Sequence, residues 1–158
     1  MKKIKNIGLL LFLILSTLSF SYQVNYDDVV DIVFRNYPQS RVTKIEIANY
    51  KGKTVYEGET FNKGQKIEFI IDANTGEVYK MDPNYDDEYN PSYNLPVTFE
   101  QASRIALDNS FNGKVKSIEL KNIDKKAYYT VEVRENKAEK EINIDANSGK
   151  VLNIKESM

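Results

Sequence analysis

The sequence contains no cysteine, histidine or tryptophan, and only four prolines and seven glycines among 158 residues. Without cysteine, the chain can form no disulfide and no thiol redox centre, and it can carry no lipid on sulfur. Without histidine as well, it has no His/Cys zinc site and none of the common Ser-His or Cys-His nucleophile pairs. These absences exclude most enzyme classes. We therefore expect a protein that is not an enzyme, with no catalytic residue, no metal and no cofactor.

The first 21 residues have the features of an export signal. Three lysines within the first five residues precede an apolar run over residues 7–20. That run is shorter than the roughly 20 residues that span a bilayer, and small residues precede position 22 as a signal peptidase requires. We therefore predict a signal peptide over residues 1–21 and a periplasmic or extracellular chain that begins at Tyr22, with no membrane span. Its 19 basic and 23 acidic side chains provide no attraction for nucleic acid.

One stretch of the sequence occurs twice. The letters IDANTGEV, which begin at Ile71, return as IDANSGKV from Ile144. Aligning Asp72 with Asp145 sets an offset of 73 residues, and this offset matches residues 24–81 with residues 97–154 without a gap. A gapless match over helical and extended patterns indicates a duplicated structural unit.

Each copy predicts one helix followed by an antiparallel meander. Apolar residues recur at helical spacing from Tyr26 to Tyr37 after the N-cap candidate Asn25, and the second copy has a capping-box pattern from Thr98 to Gln101. Alternating strands follow, predicted over residues 42–48, 54–61, 66–71 and 78–81, and over residues 115–121, 127–134, 140–144 and 151–154. The predicted fold class is α+β, as two tandem repeats that each pack one helix on a three-to-four-stranded antiparallel sheet.

The two copies are separated by an acidic segment rich in tyrosine and proline. Residues 82–96 contain three prolines and four carboxylates but no apolar periodicity, which is typical of an irregular linker. We therefore assign unit 1 to residues 22–81 and unit 2 to residues 97–158. The tyrosines of the linker are expected to pack along the units.

A helix, a meander and a strand that ends in Asp-x-x-Thr/Ser-Gly before an apolar residue resemble the PepSY domain. The chain is similar to two such domains in tandem. The resemblance is carried by the two repeated turns and by the letters FEQASRIA from Phe99, which follow the family's alanine-bearing helix pattern. The first helix departs from that pattern, because Val29 and Val33 stand where the family tends to have alanine. The resemblance implies an exported domain of the kind found in metallopeptidase propeptides, which restrains peptidases or binds envelope proteins.

The repeated turn has a structural interpretation and a functional alternative. In the structural one, Asp72 and Asp145 accept hydrogen bonds from nearby amides, and Gly76 and Gly149 adopt the positive φ that closes each turn. In the alternative the protein is an envelope ligand or cation sensor that uses these turns and the acidic linker, because Asp72 and Asn74 are spaced like the first ligands of a calcium loop. We favour the structural interpretation, since no glutamate follows where such a loop needs its last ligand.

The sheet face that the helix leaves uncovered is the candidate surface for a protein partner. Period-two alternation places six candidate residues on it: Val55, Glu57, Phe61 and Ile70 of unit 1, and Tyr128 and Thr130 of unit 2. The apolar members of this set form a patch rimmed by charge, which is typical of interfaces, although the same patch could pack against the other unit or the linker. The expected partner is a secreted or envelope peptidase, or another envelope protein, which the chain would bind and, in the case of a peptidase, inhibit.

Overall fold

Two helices and eight antiparallel strands make up the residues that the structure, a computed structural model, describes: 23–88, 95–123, 126–136 and 138–157. Unit 1 contains α1 (Tyr26–Asn36), β1 (Arg41–Tyr50), β2 (Lys53–Asn62), β3 (Gln65–Asp72) and β4 (Val78–Glu88). Unit 2 contains α2 (Phe99–Asp108), β5 (Lys114–Ile123), β6 (Lys126–Glu135), β7 (Ala138–Asp145) and β8 (Val151–Ser157). The predicted signal peptide and residues 89–94 of the predicted linker lie outside the described residues.

Both helices begin where the capping patterns predict. The Asn25 side chain accepts a hydrogen bond from the Asp28 amide at 2.9 Å, and the Asp28 carboxylate accepts one from the Asn25 amide at 2.9 Å. Thr98 and Gln101 form the same reciprocal pair at the start of α2. Each pair satisfies amides that have no partner inside the helix, and such a cap contributes about 1 kcal/mol.

All eight strands form one antiparallel sheet in the order β4-β3-β2-β1-β5-β6-β7-β8 within the described chain. The α+β class and the two tandem repeats are confirmed. The finer prediction of a separate three-to-four-stranded sheet in each unit matches only roughly, because each unit contributes four strands and the two meanders are joined edge to edge.

The two units join through β1 and β5, around a local pseudo-twofold axis. Ile45 pairs with Ile118, while Lys44 pairs with Glu119 and Glu46 with Ser117. Ile45 and Ile118 are counterparts in the repeat, so each unit meets the other with the same position of its first strand. The patch on the uncovered face therefore does not pack against the other unit, which was one of the two alternatives that the sequence left open.

Strand β4 differs from the predicted irregular linker over residues 82–88. Pro83 lies within the strand and is paired with Ile67 of β3. A proline is tolerated here because β4 is the edge strand of the sheet, where a missing amide donor breaks no ladder on the solvent side. The apolar periodicity of the earlier strands is absent from this segment, which explains why the sequence indicated a linker.

Both helices cover the same sheet face and share one hydrophobic core. Alternation predicts which strand residues face the helices, and all of them except Ile47 are buried. The buried ones are Ile45, Tyr56, Phe69 and Ile71 in unit 1, and Ile118, Leu120, Tyr129, Val131, Val133, Ile142 and Ile144 in unit 2. Ile47 is half-buried. Full burial of one such side chain stabilises the fold by about 1.5–3 kcal/mol. The assigned register is therefore correct on this face.

The N-terminal ends of the two helices meet, and an acidic side chain of each accepts hydrogen bonds from the other. The Asp27 carboxylate accepts hydrogen bonds from the Glu100 amide at 3.2 Å and the Thr98 hydroxyl at 3.0 Å. In return, the Glu100 carboxylate accepts one from the Tyr26 amide at 3.4 Å. Asp27 and Glu100 are counterparts in the repeat, so the exchange follows the pseudo-twofold axis. A carboxylate at the positive end of a helix stabilises it by about 0.3–1 kcal/mol.

Two buried tyrosines anchor the segment that enters each helix. The Tyr56 hydroxyl donates to the Val24 carbonyl at 2.8 Å, and the Tyr129 hydroxyl donates to the Val97 carbonyl at 2.8 Å. Burial raises the pKa of Tyr129 well above its usual value, so its hydroxyl remains a donor at any pH that the fold tolerates.

We expect Tyr56→Phe and Tyr129→Phe each to lower the free energy of unfolding by about 1–2 kcal/mol, because each change leaves a buried carbonyl without its donor. Urea unfolding followed by circular dichroism measures the loss. Tyr128→Phe is the matched control, since its half-buried hydroxyl makes no hydrogen bond to a described residue. A loss in the control as large as in the two variants would contradict the prediction.

Candidate protein-interaction surface

The sheet face opposite the helices, here called the open face, is covered by ion pairs. Four pairs join neighbouring strands: Lys66–Glu59 and Lys80–Glu68, each at 3.1 Å, Lys155–Glu141 at 3.4 Å and Lys116–Glu132 at 3.5 Å. Two more join residues of one strand: Lys44–Glu46 at 3.1 Å and Lys121–Glu119 at 3.2 Å. Most of these side chains are more than a third exposed, so each pair contributes only about 0–1 kcal/mol. The ion pairs make this face hydrophilic, and the stability of the fold depends little on them.

The six candidate residues lie on the open face but differ in exposure. Glu57, Ile70 and Tyr128 are half-buried, whereas Val55, Phe61 and Thr130 are buried. Val55 is fully buried because it lies in β2 between Ala48 and Asp72 of the flanking strands. All six residues lie on the face that alternation predicts, but Val55, Phe61 and Thr130 offer little or no surface to a partner.

A concavity of about 280 Å³ lies on the open face of unit 1. Its charged lining consists of Glu46, Glu57, Glu59, Glu68, Lys44 and Lys80, and the half-buried Ile70 is an apolar residue of the lining. The lining has four carboxylates and two ammonium groups. Glu57 lies opposite Glu46 and Ile70 in the register and forms no ion pair with a described residue. The concavity therefore favours a cationic group with an aliphatic stem.

The matching place in unit 2 is polar, and its side chains form hydrogen bonds to one another. The counterparts of Glu57 and Ile70 are Thr130 and Asn143, and the Thr130 hydroxyl donates to the Asn143 side-chain oxygen at 2.8 Å. The Asn143 amide also donates to Asn153 at 3.0 Å. The two units thus present different surfaces on one continuous face, and the apolar and acidic one belongs to unit 1.

Sequence analysis missed two residues of the concavity on β1, Lys44 and Glu46. The signal was available, because the alternation that places Ile45 and Ile47 on the helix face places their neighbours on the open face. Both side chains are charged, so a prediction based on apolar side chains does not include them. The acidic character of the concavity depends on Glu46 as well as on the predicted Glu57.

The repeated turns are held by their aspartates. Asp72 Oδ1 accepts hydrogen bonds from the amides of Asn74 and Thr75, both at 2.9 Å, and Gly76 has φ 74°. Asp145 Oδ1 accepts the equivalent bonds from residues 147 and 148 at 3.1 and 2.8 Å, and Gly149 has φ 72°. Each glycine occupies a region that other residues rarely adopt, so this geometry has a structural explanation.

The second oxygen of Asp72 is also occupied. Oδ2 accepts a hydrogen bond from the Tyr79 hydroxyl at 2.7 Å and lies 3.7 Å from Lys53 Nζ. The Tyr79 bond, followed by the turn amides, holds the pKa of Asp72 well below its usual range. Among the residues that the structure describes, no group of three or more acidic side chains could hold a metal ion. The occupied oxygens favour the structural interpretation of the turn.

Comparison with known families identifies the class of protein. The PepSY model, described as "Peptidase propeptide and YPEB domain", matches the chain twice, over residues 23–82 and 96–155. The chain belongs to the PepSY family, and the resemblance noted from the two turns is confirmed. PepSY domains are generally non-catalytic propeptide or regulatory domains.

Two solved structures are similar to this chain, to different degrees. A protein of Clostridium difficile 630, described as a "putative lipoprotein", is 25% identical with a TM-score of 0.64, over 88% of this chain and 97% of that chain. The Bacillus megaterium YpeB C-terminal domain is 13% identical with a TM-score of 0.35, over 87% of this chain and 67% of that chain. No curated protein matches the chain. The first likeness extends over both units, whereas the second is too distant to carry an argument.

PepSY proteins are typically exported, and the similarity to a protein described as a lipoprotein is consistent with that. Within residues 23–88, 95–123, 126–136 and 138–157, no helix is both long enough and apolar enough to cross a membrane.

Proposed function

We propose that the chain is an exported, non-catalytic protein that binds a protein partner, with a secreted or envelope peptidase as the candidate, and regulates it. The family supports this proposal, because its domains occur in peptidase propeptides. The observation that carries it is the acidic concavity around Glu57 and Ile70 on the open face of unit 1. Inhibition of the peptidase is the proposed consequence of binding.

The chemistry of the concavity defines the contact. A lysine or arginine of the partner can lay its stem on Ile70 while its charged head pairs with Glu57, which has no other ion pair among the described residues. Binding energy usually concentrates in a few such central residues. The surrounding ion pairs of the open face, such as Lys80–Glu68, would form a polar rim that contributes little affinity.

The proposal predicts that binding depends on Glu57 and Ile70. We expect the purified chain, residues 22–158, to recover a peptidase from the envelope or secreted fraction of its own cells and to slow cleavage by it. Glu57→Lys and Ile70→Asn should each weaken that binding at least about tenfold, which corresponds to about 1.4 kcal/mol. Surface plasmon resonance with the purified peptidase measures the change.

The matched control is Glu141→Lys, which makes the same charge change on the open face of unit 2. Its affinity should equal that of the unchanged chain. If the unchanged chain and all three variants bind the peptidase with equal affinity, the concavity is not the binding site. If the recovered partner is not a peptidase but its binding depends on Glu57 in the same way, the proposed binding surface is supported and the proposed peptidase partner is wrong.

A further inference from the structure

The junction between the units leaves two clefts in the sheet. Strands β1 and β5 are each ten residues long, yet they pair only over residues 44–46 and 117–119. Beyond those pairs the ladder between them stops, so the facing edges of residues 47–50 and 114–116 are not paired with each other. On the other side, the ladder likewise stops before residues 42–43 and 120–121. Such edges are ready-made templates for a further strand.

The clefts are related by the pseudo-twofold axis. The smaller one, of about 470 Å³, is lined by Arg41, Val42, Leu120 and Tyr129 among others. The larger one, of about 600 Å³, is lined by the counterparts of these four residues: Lys114, Val115, Ile47 and Tyr56. We call the larger one the lysine cleft.

The two clefts differ in charge. Asp27 and Asp31 line the smaller cleft together with Arg41. In contrast, the charged residues of the lysine cleft are all cations: Lys114, Lys116 and Arg134. The position of Arg134 is occupied in unit 1 by Phe61, and that of Lys116 by Thr43. The lysine cleft therefore attracts anions, whereas its counterpart has carboxylates of its own.

The cations of the lysine cleft are only partly neutralised. Arg134 pairs with Glu139 at 2.8 Å, and Lys116 lies at 3.5 Å from Glu132 and 3.7 Å from Glu139. The pairs of Lys116 are long and exposed, so a new carboxylate can replace them at little cost. Lys114 is exposed and forms no ion pair with a described residue. At least one cation is thus available to a ligand.

The opposite wall of the lysine cleft is apolar. Tyr26, Tyr56 and Val115 form its buried part, and Ile47 and Leu107 are more accessible, with Leu107 37% exposed. An extended peptide points alternate side chains to opposite sides. A segment in this cleft could therefore turn carboxylates towards the lysines and aliphatic side chains towards the tyrosines.

We infer that the lysine cleft binds an extended acidic segment of a partner protein, with alternating carboxylate and aliphatic residues, which adds its backbone to the free edges of β1 and β5. This mode of recognition takes affinity from main-chain hydrogen bonds and specificity from alternate side chains. The site is separate from the concavity of unit 1, which is acidic and repels such a segment.

The test uses a labelled heptapeptide, Glu-Val-Glu-Val-Glu-Val-Glu with blocked ends, and the chain from residue 22 to residue 158. Fluorescence anisotropy should show saturable binding that weakens as salt is added. Lys114→Glu should weaken binding at least tenfold, whereas Lys150→Glu, the same charge change at an exposed turn, should leave it unchanged. A peptide with lysine in place of glutamate should show no binding that depends on Lys114, because the cations of the cleft repel it.

Nuclear magnetic resonance locates the site. Titration with the acidic peptide should shift the amide signals of residues 47–50 and 114–116. Lack of saturable binding, equal affinity for the two variants, or shifts that cluster elsewhere would each overturn the inference. None of these results would affect the Glu57 test, which uses a different ligand and a different surface, so the two proposals fail separately.

Discussion

Gly58→Ala is expected to lower the free energy of unfolding by about 3 kcal/mol, at the upper end of what overpacking costs. A Cβ atom at Gly58 would overlap both the Lys44 carbonyl oxygen on β1 and the ring of Phe69, which lies opposite on β3. The backbone of a central strand can yield little. Urea unfolding of the purified variant measures the loss, and an unchanged midpoint would contradict the prediction.

The repeat supplies the matched control for this change. Val131 and Ile142 occupy the same two positions in unit 2, so the small residue and the large ring of unit 1 compensate each other. We expect Gly58→Ala combined with Phe69→Ile to recover part of the lost stability, because the ring overlap disappears while the contact with the Lys44 carbonyl remains. The single change Phe69→Ile completes the double-mutant cycle, and an additive result would show that the ring is not involved.

Asp72→Ala is expected to lower the free energy of unfolding by about 2–3 kcal/mol at neutral pH, because it removes charge-assisted hydrogen bonds to a buried carboxylate. Asp145→Ala should cost less. Asp145 is half-buried, and the counterpart of Tyr79 in unit 2 is Leu152, which donates no hydrogen bond. Thermal unfolding of the two variants measures the difference, and equal losses would contradict a role for Tyr79.

The same aspartate gives a dependence on pH with a defined sign. Its pKa is lowered in the folded protein, so the ionised carboxylate stabilises the fold above the unfolded pKa of about 3.9 and loses that effect as pH falls towards the folded pKa. The difference in stability between the unchanged chain and Asp72→Ala should be constant above about pH 5 and should shrink below about pH 4. A difference that stays the same down to pH 2 would contradict this assignment.

Features that depend on neighbours in the sequence could be predicted from it. The capping box of Asn25 and Asp28 and the glycine at position 76 each act within a few residues, so the letters alone define them. The sheet face that packs against the helices could also be predicted from alternation. The apolar residues at helical spacing and the alternate apolar residues of the strands form one hydrophobic core. These features account for the order of elements in both units.

Features that depend on distant neighbours could not be predicted in this way. Any free edge of one meander could have met any edge of the other, and nothing near Ile45 indicates that its partner is Ile118. The burial of Val55 depends on the side chains of the strands on either side, which alternation does not describe. The lysine cleft likewise exists only because two strands from different units separate after a short contact.

The pairing of Ile45 with its own counterpart is the geometry of a symmetric dimer whose two subunits have been joined into one chain. In a dimer of identical subunits, every substitution appears twice, so a lysine introduced to attract one ligand would also appear in the second cleft. Covalent linkage removes that constraint. The chain can keep aspartates in one cleft and cations in the other, so two surfaces of unlike charge arise from a single architecture.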